Sequence, residues 1–231
     1  MTVVRMKFLK EEDIKYISHL DLLRSIHRLF RRAELKMLYS RGFNPRPKVS
    51  FAMAMPVGMT SQAEYLDLEV PESVPANHIL ESLNEVAPNG LKFIQVKVIE
   101  GTLPTLSSVI REGIFNITIP LEEGCTHEQL EKSIDNVFQQ EKIEIEKKSK
   151  KGKINIKDIR PLIKDIKIIQ MEESYTILQT RLSLGSVENL NPQFLVNYLI
   201  ENGKLYFKEF PKAKIHRVEM IIENDITPMD I

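Results

Sequence analysis

The residues Ser40-Arg41-Gly42-Phe43-Asn44-Pro45-Arg46-Pro47-Lys48 set three cations around an aromatic ring and a side-chain amide. Two prolines restrict the backbone and Gly42 permits a positive φ, so the segment reads as a loop of defined shape. A rigid loop presents its side chains with little ordering cost on binding. Arg41, Arg46 and Lys48 offer positive charge, Phe43 a stacking face, and Asn44 both a donor and an acceptor. Cations interleaved with an aromatic suit single-stranded or looped RNA, whose bases stack and whose phosphates pair with arginine. The alternative is a plain connector with Phe43 plugging the edge of a core.

Upstream, Arg24, Arg28, Arg31 and Arg32 recur at spacings of three and four. On a helix this places them in one stripe opposite the apolar face. His27 flanks the stripe and His19 opens the helix. Either histidine is a candidate proton shuttle for metal-independent RNA cleavage, with arginines stabilising the charge that develops on phosphorus. A second basic patch comprises Lys147, Lys148, Lys150, Lys151 and Lys153, with Arg160 beyond it. As a hairpin tip it would add salt-dependent phosphate contacts carrying little sequence information. Asp158 and Arg160, two apart on an extended segment, point to one face and read as a structural pair.

Familiar catalytic patterns are missing. The histidines (His19, His27, His78, His127, His216) are scattered, without HExxH or a His/Asp cluster at ligand spacing. There is no GxxxxGK[ST], GxGxxG or GxSxG. Cys125 stands at an expected helix N-terminus, where a thiol pKa can fall, yet alone it excludes an intramolecular disulfide and a cysteine-bound metal site. No cofactor or metal is expected. The reading is a binding surface first and a catalytic one second.

These residues must be held by an α+β framework. The first hundred residues read as βαββαβ: a strand at 3–8 extending after a turn into 14–17, a helix over 20–34 capped by Ser18, strands at 49–55 and 66–70 joined through Pro56–Gly58, a helix over 75–86, and a strand at 91–99. That order is ferredoxin-like. Residues 101–108 read as a linker. The order then restarts: a strand at 114–119, a helix capped by Thr126 with Gln129 in the capping-box position, extended segments at 143–145, 166–171 and 175–184, a helix capped by Asn191, and a closing strand at 215–222. Two ferredoxin-like halves with antiparallel sheets, 1–100 and 109–231, are expected.

A chain of 231 residues with 42% hydrophobic and 28% charged residues is ordinary for globular domains. The formal net charge is zero, but residues 14–60 set nine cations against Asp21 and Glu34 alone. Residues 142–170 set ten cations against four acids. A chain polarised in this way can hold a polyanion while staying neutral overall. No stretch approaches the roughly 18 apolar residues of a membrane helix, and with cysteine usage this points to a cytoplasmic protein.

Ser18-His19-Leu20-Asp21, the run from Gly42 to Ala52 (GFNPRPKVSFA), Glu64-Tyr65-Leu66-Asp67 and Asp158-Ile159-Arg160-Pro161 together resemble a bacterial family labelled radical SAM-linked proteins. Its members occur alone or fused behind a radical SAM enzyme. The resemblance implies association with a radical SAM partner. The chain has no CxxxCxxC run and cannot hold that enzyme's cluster. The two-half arrangement is also similar to RNA-processing proteins of CRISPR systems, a likeness of fold that carries no function. The leading expectation is therefore a non-catalytic RNA-binding or substrate-presenting module working with a radical SAM enzyme. The alternatives are an enzyme acting on RNA or a phosphorylated substrate, and a protein-interaction scaffold for the radical enzyme.

Overall fold

A computed structural model describes residues 2–71, 75–101, 103–148, 154–202, 206–209 and 212–231. The elements run β1 (Thr2–Lys10), α1 (His19–Arg32), β2 (Val49–Phe51), β3 (Thr60–Val70), α2 (Ala76–Val86), β4 (Leu91–Glu100) and a short α3 (Leu106–Val109). They continue as β5 (Glu112–Pro120), α4 (His127–Gln139), β6 (Glu144–Lys148), β7 (Ile154–Asp158), β8 (Ile163–Met171), β9 (Tyr175–Ser183), α5 (Pro192–Asn202) and β10 (Lys214–Ile221). The fold is mixed α+β with mainly antiparallel strands. Among the described residues no helix is long and apolar enough to cross a membrane.

The chain divides into two compact units, 1–111 with 217–231, and 112–216. The first unit differs from the expected half at two places: residues 101–111, expected as a linker and the start of the second half, belong to it with α3 and buried Leu106 and Ile110, and so do the last fifteen residues.

In the first unit β1 pairs antiparallel with both β3 and β4, and β2 pairs antiparallel with the far edge of β3 through Val49–Leu68 and Phe51–Leu66. Alternation on β1 sends Val4, Met6 and Phe8 to one face, where they meet Leu66, Leu68 and Val70 of β3 and Leu91 and Phe93 of β4. Leu22, Ile26, Leu29 and Phe30 of α1 and Ile79 and Leu83 of α2 cover that face. The β1–β4 register slips between Lys7 and Phe8. There Asn84 of α2 accepts from the Phe93 N–H at 2.9 Å and donates to the Phe93 carbonyl at 2.8 Å, so backbone groups beside the irregularity stay satisfied.

Local signals are met at both ends of α1. Ser18 Oγ accepts from the Asp21 N–H, and the helix closes in a Schellman motif in which Leu35 N–H reaches Phe30 O and Glu34 N–H reaches Arg31 O. Glu34, at φ 52°, occupies the left-handed position normally given to glycine. Two strand expectations are corrected. The turn after β1 is present as a 3₁₀ turn at Glu12–Ile14, but residues 14–17 continue it as turn and form no strand, and the strand at 49–55 stops at Phe51. Only residues opposite Leu66–Leu68 find a ladder, whereas further on a single bond from Ala52 N–H to Tyr65 O remains.

In the second unit β9 pairs antiparallel with β5 and β8. α4 carries the full Thr126–Gln129 capping box. β6 and β7 form a separate two-stranded ribbon, so residues 143–145 do not join the main strands.

Candidate functional site

The 39–48 segment is a pinned loop. Tyr39 and Pro47 bridge across its base, Ser40 N–H donates to Arg46 O at 2.8 Å, and Arg46 N–H donates to Ser40 Oγ at 3.0 Å. Lys48 N–H donates to Leu38 O, while Leu38 N–H and Lys48 O bond Glu69, which ties the base of the loop to β3. Gly42 lies at φ 127°, a conformation that a Cβ would strain. Phe43 at the tip is fully exposed and plugs no core. Arg41, Asn44 and Arg46 are exposed beside it.

The arginine stripe divides in two. Arg24 is ion-paired with Asp21 at 2.9 Å, and Lys48 with Glu69 at 2.7 Å. Arg28, Arg31, Arg41 and Arg46 are exposed and have no acidic partner among the described residues. Arg32 turns elsewhere, into a cleft of about 450 Å³ shared with Lys36, His78, Ser82 and Glu85. The bonds from Ser18 and Arg24 hold the Asp21 carboxyl below its usual range.

His27 links helix and loop. Burial, and then the charges of Arg31 and Arg46, pull its imidazole below the ordinary value. Its Nε2 is covered and makes no hydrogen bond among the described residues. His19 packs edge-on against Phe51 with ring centroids 5.2 Å apart. One imidazole is thus turned to packing, and the other has its Nε2 covered.

The other expected residues belong to the second unit. Lys150, Lys151 and Lys153, and the side chains of Lys147 and Lys148, lie outside the described residues. Arg160 serves its own unit: its guanidinium donates to Ile163 O and Phe138 O and lies 4.9 Å from the Phe138 ring centroid. Asp158 accepts from the N–H groups of Ile143 and Arg160, which hold its carboxyl low. The two residues thus stabilise a turn separately. Burial pushes the Cys125 thiol up, opposite to the activation its place before α4 suggested. No group of His, Cys, Asp or Glu among the described residues is arranged to hold a metal.

Sequence reading missed a set of ionic groups in the first unit. Arg5, with no solvent exposure, donates from Nε and Nη2 to the two Asp67 oxygens at 2.8 and 2.9 Å and from Nη1 to Pro228 O at 2.7 Å. Lys7 and the Tyr65 hydroxyl both donate to Glu219, and Lys97 donates to the carbonyls of Met229 and Ile231. Burial and Glu219 drive the Tyr65 phenol far above its ordinary value. Arg217 is paired with Glu64 at 2.8 Å, both buried. The signal was present in β1, where Arg5 and Lys7 alternate with Val4, Met6 and Phe8.

With this geometry established, residues 4–192 match the model of a family described as "Uncharacterized protein conserved in bacteria" (DUF2344). The chain belongs to that family. No curated protein matches it. Among solved structures it is similar to a chain of "Crystal Structure of a Cbf5-Nop10-Gar1 Complex" at 8% identity and TM-score 0.49, covering 94% of this chain and 48% of that one. It is likewise similar to a chain of "Crystal structure of the archaeal box H/ACA sRNP Nop10-Cbf5 complex" at 9% identity and TM-score 0.46, covering 93% and 46%. The chain thus spans about half the length of the solved chains it matches.

Proposed function

We propose that the first unit is a non-catalytic RNA-binding module whose contact surface is the outer face of α1 together with the 39–48 loop. The observation that carries this reading is the set Arg28, Arg31, Arg41 and Arg46, which lacks acidic partners among the described residues beside the fully exposed ring of Phe43. Exposed arginines attract phosphates, and an aromatic at a loop tip offers a stacking face to an unpaired base. Asn44 adds base-edge hydrogen bonding. Arg24 and Lys48, already neutralised, play a minor part. The antiparallel order β4-β1-β3-β2, with two helices on one face, supports a ferredoxin-like description of this unit.

The resemblance to radical SAM-linked proteins supports a role in presenting RNA to a radical SAM enzyme, which supplies the chemistry. Titration of an unstructured oligoribonucleotide over a salt series tests the reading. Four arginines at about −0.7 per neutralised phosphate give a log–log slope near −3 at most, or roughly fiftyfold weaker binding between 50 and 200 mM salt. Phe43→Ala removes about 1–3 kcal/mol of stacking without touching the core. Salt-independent affinity, or no binding, overturns the proposal.

A further inference from the structure

The alternation of β3 that sends Leu66, Leu68 and Val70 to the helices sends Asp67 and Glu69 to the opposite face of the sheet, where strand register sets Ser50 and Val3 beside them. A cavity of about 210 Å³ opens there, bounded also by Lys48 at the foot of the 39–48 loop and by the segment after β4. Val3, Leu103 and Pro104 give it apolar walls. Pockets for larger ligands begin at about 300 Å³, so this one has room for a single planar ring system. Both Asp67 oxygens are engaged by Arg5, at 2.8 and 2.9 Å. Glu69 is engaged on one side only: its Oε2 accepts from Lys48 Nζ at 2.7 Å, and its Oε1 accepts no bond among the described residues. The Lys48 and Glu69 side chains are 41% and 28% exposed, so the pair can be reached from solvent.

We propose that this cavity takes a guanine base of the bound RNA, read by Lys48 and Glu69. The inference rests on the RNA-binding reading above and adds to it a base-specific contact. Along the ion pair the order is donor (Lys48 Nζ), acceptor (Glu69 Oε2), acceptor (Glu69 Oε1). The Watson–Crick edge of guanine runs acceptor (O6), donor (N1–H), donor (N2–H), which is the complement of that order. Uracil and cytosine each set an acceptor against a carboxylate oxygen, and adenine fills two of the three positions at most. Hydrogen bonds to charged groups are strong, so an acceptor facing an acceptor beside apolar walls is costly. Neutralised by Glu69, Lys48 adds little to the long-range pull on phosphates, and its part here is direction rather than charge. Lys48 follows Arg46 by two residues, at most about 7 Å of backbone, so a nucleotide joined to a phosphate held at Arg46 has the cavity beside it. Unpaired bases of single-stranded RNA are free to turn into such a pocket.

The test uses the full chain and fluorescein-labelled oligouridylates whose central base is uracil, cytosine, adenine, guanine or hypoxanthine, with fluorescence anisotropy at fixed salt giving each affinity. Expected is about tenfold tighter binding with guanine than with uracil, cytosine or adenine. Hypoxanthine keeps O6 and N1–H but lacks the N2 amino group, and should bind about fivefold more weakly than guanine. In Glu69→Gln an amide N–H replaces one of the two acceptors, and the guanine preference disappears. Ser50→Leu fills the cavity while leaving Lys48 and Glu69 in place, and abolishes the same preference. Circular dichroism shows whether each variant is folded, and the five wild-type affinities decide the matter where one is not. Equal affinity for all five oligonucleotides, a preference for another base, or a guanine preference that hypoxanthine retains in full overturns the inference and leaves the RNA-binding reading standing. So does a guanine preference that survives in both folded variants. No binding of any oligonucleotide removes both.

Discussion

Asp67→Asn is the substitution expected to damage the first unit most for the smallest change in shape. The Arg5 side chain is fully buried and that of Asp67 is 13% exposed, and two parallel bonds of 2.8 and 2.9 Å join them. Replacing the carboxylate by an amide removes the bidentate partner of a fully buried guanidinium and leaves it only the main-chain oxygens of Pro228 and Ile231 as acceptors. Breaking one side of a buried pair costs about 3–5 kcal/mol, against less than about 1 for exposed pairs such as Lys132–Glu128. With a urea dependence of about 2 kcal/mol per molar, the unfolding midpoint of this unit falls by about 1.5–2.5 M. Far-UV circular dichroism along a urea gradient reads it. The double variant Arg5→Met with Asp67→Leu removes both charges and recovers most of the loss. It also releases Pro228 O, so protease cleavage after β10 should quicken in the double variant even as stability returns. A cost below about 1 kcal/mol for Asp67→Asn at unchanged urea dependence would show that water screens the pair, and would refute the reasoning.

Glu34→Gly should stabilise the protein by about 0.5–1 kcal/mol, because it removes a side chain from a left-handed position and an acid from the negative end of α1. Thermal melting should show a gain of about 1–4 °C. Asp21, Asp158 and Asp230 all have carboxyls held below the usual range by hydrogen bonds. Their contribution is complete above the unfolded carboxyl value near 4 and is lost as pH falls through the lower folded values; melts between about pH 2 and 6 should decline only in that acid window, and less so in Thr227→Ala, which lacks one of the bonds to Asp230. Cys125, with its thiol pushed up by burial, should react with a maleimide at pH 7 more slowly than a free thiol does. A rate equal to that of the free thiol would contradict its placement.

Much of α1 and its loop was legible because the signals are short-range. Ser18 caps α1 through an N–H three residues away, Thr126 and Gln129 satisfy one another, Pro47 restricts its own φ, and Gly42 permits the positive φ it adopts. Such interactions close within one turn and depend little on the rest of the chain. The exposure of Phe43 was less legible. A phenylalanine in a loop is equally consistent with a plug and with a reader of bases, and only the path of residues 39–48 along β3 decides between them.

Composition and periodicity determined an α+β framework, the apolar faces of the helices, and two cation-rich stretches, 14–60 and 142–170. The tertiary structure decided which arginines remain available, because Arg24 and Lys48 are neutralised by Asp21 and Glu69 while Arg28, Arg31, Arg41 and Arg46 are not. It also decided that residues 217–231 complete the first unit, and that Arg5 is buried rather than solvated. Strand pairing and charge burial depend on partners more than a hundred residues away, such as Pro228 for Arg5 and Arg217 for Glu64. A period of two states which side chains share a face, but the energy that selects the neighbour comes only from the assembled core and the carbonyls and carboxylates brought against it.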